Sequence, residues 1–67
     1  MSEEAVKILE GVISSLKDIK EQLIKVSRML RGIPPSIELL DIAYRLDDFI
    51  SEISAFKTDL EFLYETE

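Results

Sequence analysis

The chain has 67 residues, of which 46% are hydrophobic and 33% are charged. This length allows one small domain, and the apolar content excludes a disordered tail. The formal net charge of −6 argues against simple electrostatic attraction to nucleic acid or anionic lipid. The chain has no cysteine and no histidine, which removes disulfides, the commonest transition-metal ligands and the commonest general base.

The first four residues, Met1 to Glu4, are acidic and lack the basic start and apolar run of a signal peptide. No stretch approaches the roughly 18 apolar residues that a membrane span needs. We therefore expect a cytoplasmic protein with no membrane association.

The first half of the chain has apolar residues at spacings that alternate between four and three. This heptad pattern predicts an amphipathic helix over about residues 3–31. Its apolar positions are Ala5, Leu9, Val12, Leu16, Ile19, Leu23, Val26 and Leu30.

Residues 32–36 form the predicted turn. Gly32 suits the left-handed conformation that follows a helix end, and Pro34 restricts Ile33 to extended geometry. Either Pro35 occupies the first turn of the next helix or Ser36 caps it.

The heptad pattern resumes after the turn and predicts a second helix over about residues 36–65. Its apolar positions are Leu39, Ile42, Leu46, Phe49, Ile53, Phe56, Leu60 and Leu63. A third apolar row of Ala43, Ile50 and Tyr64, interrupted by Lys57, widens this stripe. A stripe of this width is typical of a globular bundle.

These elements predict one all-α domain, residues 1–67, folded as an antiparallel two-helix hairpin. Two packed helices bury only their line of contact, so we expect a homodimer that forms a four-helix bundle. The rival interpretation is a helix supplied by a different protein. The predicted oligomer core comprises Leu9, Leu16, Leu23, Leu30, Leu46, Phe49, Ile53, Phe56 and Leu60.

Charge is unevenly divided between the two halves. Residues 1–33 have six basic and five acidic side chains, whereas residues 34–67 have two basic and nine acidic side chains. This difference favours contacts between first and second helices over contacts between two second helices.

A second apolar set lies outside the heptad stripe. Ile37, Leu40 and Tyr44 share one side of the second helix near the turn, with Arg28 and Arg31 close by in sequence. Apolar side chains beside tyrosine and arginine are typical of a protein-binding hot spot. These five residues are the predicted partner-binding residues; burial by the turn or by a dimer is the alternative.

Two other functions are weaker alternatives. The basic part of helix one, from Lys17 to Arg31, suggests a nucleic-acid-binding regulator, although no aromatic residue interleaves with its basic residues. Asp41, Asp48 and Glu52 share one side of helix two and suggest a Mg²⁺ or Ca²⁺ site completed by a neighbouring chain, or a metal-assisted hydrolase. A solvated acidic surface explains them more simply.

No catalytic residue, metal ligand or cofactor site emerges from these patterns. The sequence therefore predicts a small non-enzymatic protein–protein interaction or regulatory module that acts as a self-associating hairpin.

Overall fold

A computed structural model describes the backbone of residues 2–65 and the side chains of residues 3–63. It contains two α-helices that pack against each other, α1 (Ser2–Met29) and α2 (Pro35–Glu65). The predicted helical hairpin is confirmed. The ends of the helices at the turn differ from prediction, because α1 stops two residues earlier and α2 begins one residue earlier.

The turn explains both differences. The amide of Leu30 still donates to the carbonyl of Val26, but Arg31 bonds to Arg28 in a tighter, 3₁₀-like step. Gly32 then adopts a φ of +94°, which a residue with a Cβ atom rarely adopts.

Pro35 is the first residue of α2, where its missing N–H would have no intrahelical partner anyway. The hydroxyl of Ser36 donates to the carbonyl of Ile33 at 2.9 Å. Of the two predicted starts, the structure therefore has the one with proline in the first turn.

Polar contacts between the helices fix their antiparallel register. Lys20 Nζ lies 2.8 Å from Asp47 Oδ1, and Lys57 Nζ lies 3.5 Å from Glu10 Oε1. Ten residues backward along α1 therefore correspond to ten residues forward along α2. Near the turn, the Ser27 hydroxyl donates to the carbonyl of Ser36 at 3.0 Å.

The buried core is small and lies one row away from the predicted seam. Within the described side chains, the buried hydrophobic residues are Ala43 and Ile50, joined by the polar Ser27. Ala43 is 0% exposed, so its short side chain lies at the contact between the helices. The third apolar row therefore forms the helix–helix contact, although the predicted place of Tyr64 in that row lies outside the described side chains.

The hairpin exposes more surface than a compact protein of its mass. Its accessible area is 5441 Å², against about 4,300 Å² for a typical folded monomer of 7.7 kDa. Its extents are 54 × 15 × 10 Å. The fold is thus a thin two-helix slab with two broad sides.

Candidate protein interaction surfaces

One broad side of the slab, the front face, consists of four apolar rows. Two inner rows are half-buried beside the helix–helix contact: Leu9, Leu16, Leu23 and Leu30 on α1, and Leu39, Leu46, Ile53 and Leu60 on α2. Two outer rows are exposed: Val12, Ile19 and Val26 on α1, and Ile42, Phe49, Phe56 and Leu63 on α2.

The outer rows leave large apolar side chains in water. Their exposed fractions run from 40% for Val12 to 63% for Leu63, and Phe49 and Phe56 are each more than half exposed. Single exposed apolar residues are common, but seven in two aligned rows form a contiguous patch. A patch of this kind is typical of a contact surface.

The predicted oligomer core falls on this front face. Its seven leucine and isoleucine members lie in the half-buried inner rows, and Phe49 and Phe56 lie in the exposed outer row of α2. The hairpin alone therefore covers these side chains only in part. Their place in an oligomer core stays a prediction.

The opposite broad side, the back face, is polar over most of its length. It contains an open groove between the helices that is lined by Glu10, Ile13, Ser14, Lys17, Ser54, Lys57 and Thr58. The ion pair between Lys20 and Asp47 lies between the same two helices, nearer the turn. Water can solvate these groups, so the back face has no general need of a covering partner.

Lys57 stands where the third apolar row is interrupted and links both helices on this side. Its ammonium lies 3.1 Å from Glu61 and 3.5 Å from Glu10. The hydrogen bond to Glu61, followed by the attraction of the Glu61 and Glu10 carboxylates, raises the pKa of Lys57 above its usual value near 10.5. Lys57 therefore stays protonated while it joins α2 to the N-terminal part of α1.

The predicted partner-binding residues form a turn patch, defined as Arg28, Arg31, Ile37, Leu40 and Tyr44. Arg28 lies two heptads beyond Ser14, which lines the back groove, so it belongs to the back face. Leu40 lies one heptad before Asp47, the partner of Lys20. The turn patch is thus the part of the back face nearest the turn.

Exposure within the turn patch is high. Ile37 is 72% exposed and Tyr44 is 61% exposed, whereas Leu40 is half-buried. Neither arginine has a carboxylate within 4.0 Å among the side chains of residues 3–63. The hairpin itself therefore does not bury Ile37 or Tyr44, and the guanidinium groups remain accessible to a partner.

The basic residues proposed for nucleic-acid binding do not form one continuous surface. Lys20 is paired with Asp47 at the helix–helix contact. Lys17 and Arg28 belong to the back face, whereas Lys25 lies on the opposite side of α1 from Lys20. The structure divides this group of positive charges.

The acidic residues proposed for a metal site are also separated by their contacts. Asp41 forms an ion pair with Arg45, one turn further along α2, at 3.1 Å. Asp48 and Glu52 are exposed. Among the described residues, no group of three acidic side chains is placed to hold a metal ion.

Neither helix, over its described residues, has an apolar stretch that could cross a membrane. Comparison with protein-family models, with curated proteins and with solved structures finds no match to this chain. The surfaces of the hairpin are therefore the basis for a functional proposal.

Sequence reasoning missed the outermost row on the α1 side of the front face. Ile8 and Met29 are 62% and 76% exposed, and Ser15 and Gln22 complete the same heptad row. The spacing of Ile8 and Met29, three heptads apart, was the available signal. This row extends the front face with uncharged side chains.

Proposed function

We propose that this chain is a small non-enzymatic interaction module, which dimerises through its front face and binds a partner protein through its turn patch. The observation that supports dimerisation is the double row of exposed apolar side chains. A cytoplasmic location remains the prediction made from the sequence.

The size of the front face fits a stable dimer. A broad side of 54 × 15 Å covers about 800 Å², close to the area that each partner contributes to a standard protein–protein interface. The apolar rows of both helices lie on the same broad side, so a second copy can cover both helices at once. Two stacked hairpins would form a four-helix bundle with the inner leucine rows at its centre.

The turn patch supports a second contact, with a different protein. It is on the back face, so dimerisation through the front face leaves it accessible. Between Gln22 and Ile37 the chain has three basic residues and no acidic residue, although its net charge is −6. A partner with apolar side chains flanked by carboxylates fits this combination.

The proposal is tested first by measuring molar mass with light scattering across a dilution series, with helicity followed by circular dichroism. We expect a helical species of twice 7.7 kDa that loses helicity as it dissociates on dilution. A stable helical monomer at all concentrations would contradict self-association. It would show that the small core around Ala43 and Ile50 is sufficient.

The partner contact is tested with the double variant Leu40→Ser and Tyr44→Ser on immobilised protein. We expect the double variant to keep the helicity and dimer mass of wild type. It should no longer bind the proteins that the immobilised wild-type chain binds specifically. Glu52→Gln, which lies away from the turn patch, serves as the matched control and should retain them. Unfolding of the double variant would instead show that Leu40 and Tyr44 stabilise the fold.

A further inference from the structure

The register of the hairpin places the outer rows of the front face level with each other. Lys20 lies beside Asp47 and Glu10 lies beside Lys57. By the register of these two ion pairs, Ile19 is level with Phe49 and Val12 with Phe56, each to within one residue. These pairs are on opposite outer edges of one hairpin, so they do not meet within a single chain.

We propose that α1 of each copy packs against α2 of the other copy, with both turns at the same end of the four-helix bundle. This inference rests on the proposed dimerisation through the front face and specifies its arrangement. A two-fold axis along the bundle keeps every residue at its own level. It therefore brings the level pairs together across the interface, without any adjustable shift along the helices.

Side-chain size favours this arrangement. The two phenylalanines, Phe49 and Phe56, meet the smaller β-branched residues Ile19 and Val12 of the other copy. Large side chains facing small ones fill a helical interface at an even spacing. The alternative arrangement has the turns at opposite ends and packs α2 against α2. It concentrates the four front-face phenylalanines on one side and leaves only valine and isoleucine on the other.

Charge favours the same arrangement. The row that flanks the front face on α2 is exposed and mostly acidic, and consists of Glu38, Arg45, Glu52 and Asp59. The corresponding row on α1 is exposed and uncharged, and consists of Ile8, Ser15, Gln22 and Met29. Contact between two α2 helices would place two acidic rows side by side. Contact between α1 and α2 sets each charged side chain beside an uncharged one at the same level.

The arrangement has a functional consequence for the turn patch. Both copies of the patch lie at one end of the bundle, on opposite outer sides. A partner that presents two matching segments could then bind both patches at once, which raises its effective affinity through the high local concentration of the second segment. With the turns at opposite ends, the two patches would be separated by about 30 Å along the bundle axis, at a rise of 1.5 Å per residue.

The test uses the full-length chain with a single cysteine, because the natural sequence has none. Arg31→Cys at the turn and Glu3→Cys at the other end each receive a nitroxide spin label, and the distance between copies is measured by pulsed electron paramagnetic resonance. Turns at the same end should give roughly 20–30 Å at both positions, because packed helix axes are about 10 Å apart. Asp18→Cys, near the middle of α1, is the control and should give a short distance in either arrangement.

The possible outcomes separate this inference from the proposed function. Distances of about 40–45 Å at Arg31→Cys and Glu3→Cys, with a short distance at Asp18→Cys, would show a dimer with turns at opposite ends and would overturn only this inference. Absence of any dipolar coupling at all three positions, with a monomeric mass, would overturn both proposals. Short distances at both ends support both.

Discussion

The two broad sides of this hairpin differ in what they leave exposed to water. The front face exposes valine, isoleucine, leucine and phenylalanine in aligned rows. The back face exposes serine, threonine and ion-paired charges, with apolar side chains concentrated near the turn. Burial of the front face by another molecule would therefore be favourable, whereas the polar side chains of the back face are well solvated in water.

The contrast separates two physical tasks. Ion pairs and hydrogen bonds between the helices, such as Lys20–Asp47, specify register but contribute little stability, because both side chains keep part of their contact with water. Burial of apolar area supplies most of the favourable free energy of folding and association. In this chain the polar contacts that specify the register are on the back face, and the apolar area available for burial is on the front face.

The largest expected effect comes from replacing front-face aromatic residues. In the double variant Phe49→Ser and Phe56→Ser, the dimer loses the burial of four half-exposed phenylalanines, on the order of 5 kcal/mol per dimer. The dissociation constant should rise more than a thousandfold. Sedimentation equilibrium measures this change.

The matched control for that variant lies on the back face. Tyr44→Ser removes an aromatic ring of similar exposure, 61%, and should leave the dissociation constant within a few-fold of the wild-type value. If both variants weakened the dimer equally, the two faces would not differ in the way described. A double phenylalanine variant that still dimerised tightly would exclude the front face as the interface.

A smaller effect is expected at the contact between the helices. Ala43→Leu adds three carbon atoms where the side chain is 0% exposed, and should destabilise the fold by about 1–3 kcal/mol through overpacking. Urea unfolding followed by circular dichroism, at one protein concentration well above the dissociation constant, measures the change.

Ala55→Leu is the control for this substitution, since Ala55 is exposed on α2 and leucine has nearly the same helix propensity as alanine. Its unfolding free energy should stay within about 0.5 kcal/mol of wild type. Equal stability of the two variants would mean that the helices have room to separate at Ala43.

The smallest expected effect is a pH dependence from the back face. Because the pKa of Lys57 is raised in the folded state, its contribution to stability is complete below the unfolded-state pKa and is lost as pH rises through the folded-state pKa. The urea midpoint of wild type should therefore exceed that of Lys57→Met by a constant amount from pH 7 to about pH 9.5. Above about pH 10.5 this difference should decrease.

Lys25→Met is the control for the pH series, because Lys25 has no carboxylate within 4.0 Å among the described side chains. Its curve should run parallel to that of wild type. A midpoint difference for Lys57→Met that stayed unchanged up to pH 11.5 would contradict a stabilising role for the charged amine.

The heptad pattern predicted the two helices and their antiparallel pairing, because apolar spacing and the Gly32–Ser36 turn are local signals. It did not predict which row becomes the helix–helix contact. Three adjacent rows of α2 are apolar, and periodicity alone does not show which of them contacts α1. Which row forms the contact depends on the burial of Ala43 against α1 and on the ion pairs of Lys20 with Asp47 and of Lys57 with Glu10. These are relations between residues distant in sequence.

The candidate surfaces were predictable to different degrees. Ile37 and Tyr44 stand outside the heptad stripe, so their exposure on the back face could be anticipated from the sequence. The exposure of Phe49 and Phe56 could not, because it follows from the position of the helix–helix contact. A single-chain pattern also cannot distinguish a residue buried within the hairpin from one that a second chain would cover.

The two prolines of the turn also disfavour a domain-swapped dimer in which the two helices of a chain merge into one. Domain swapping is an easy route to dimers when a hinge can straighten and let two helices merge into one. A merged helix over residues 2–65 would be about 95 Å long, and it would place Pro34 and Pro35 in its interior, at about 3 kcal/mol or more each. Gly32 would weaken it further. The turn therefore holds each chain as a self-contained hairpin, and any dimer of it would form and separate without opening the turn.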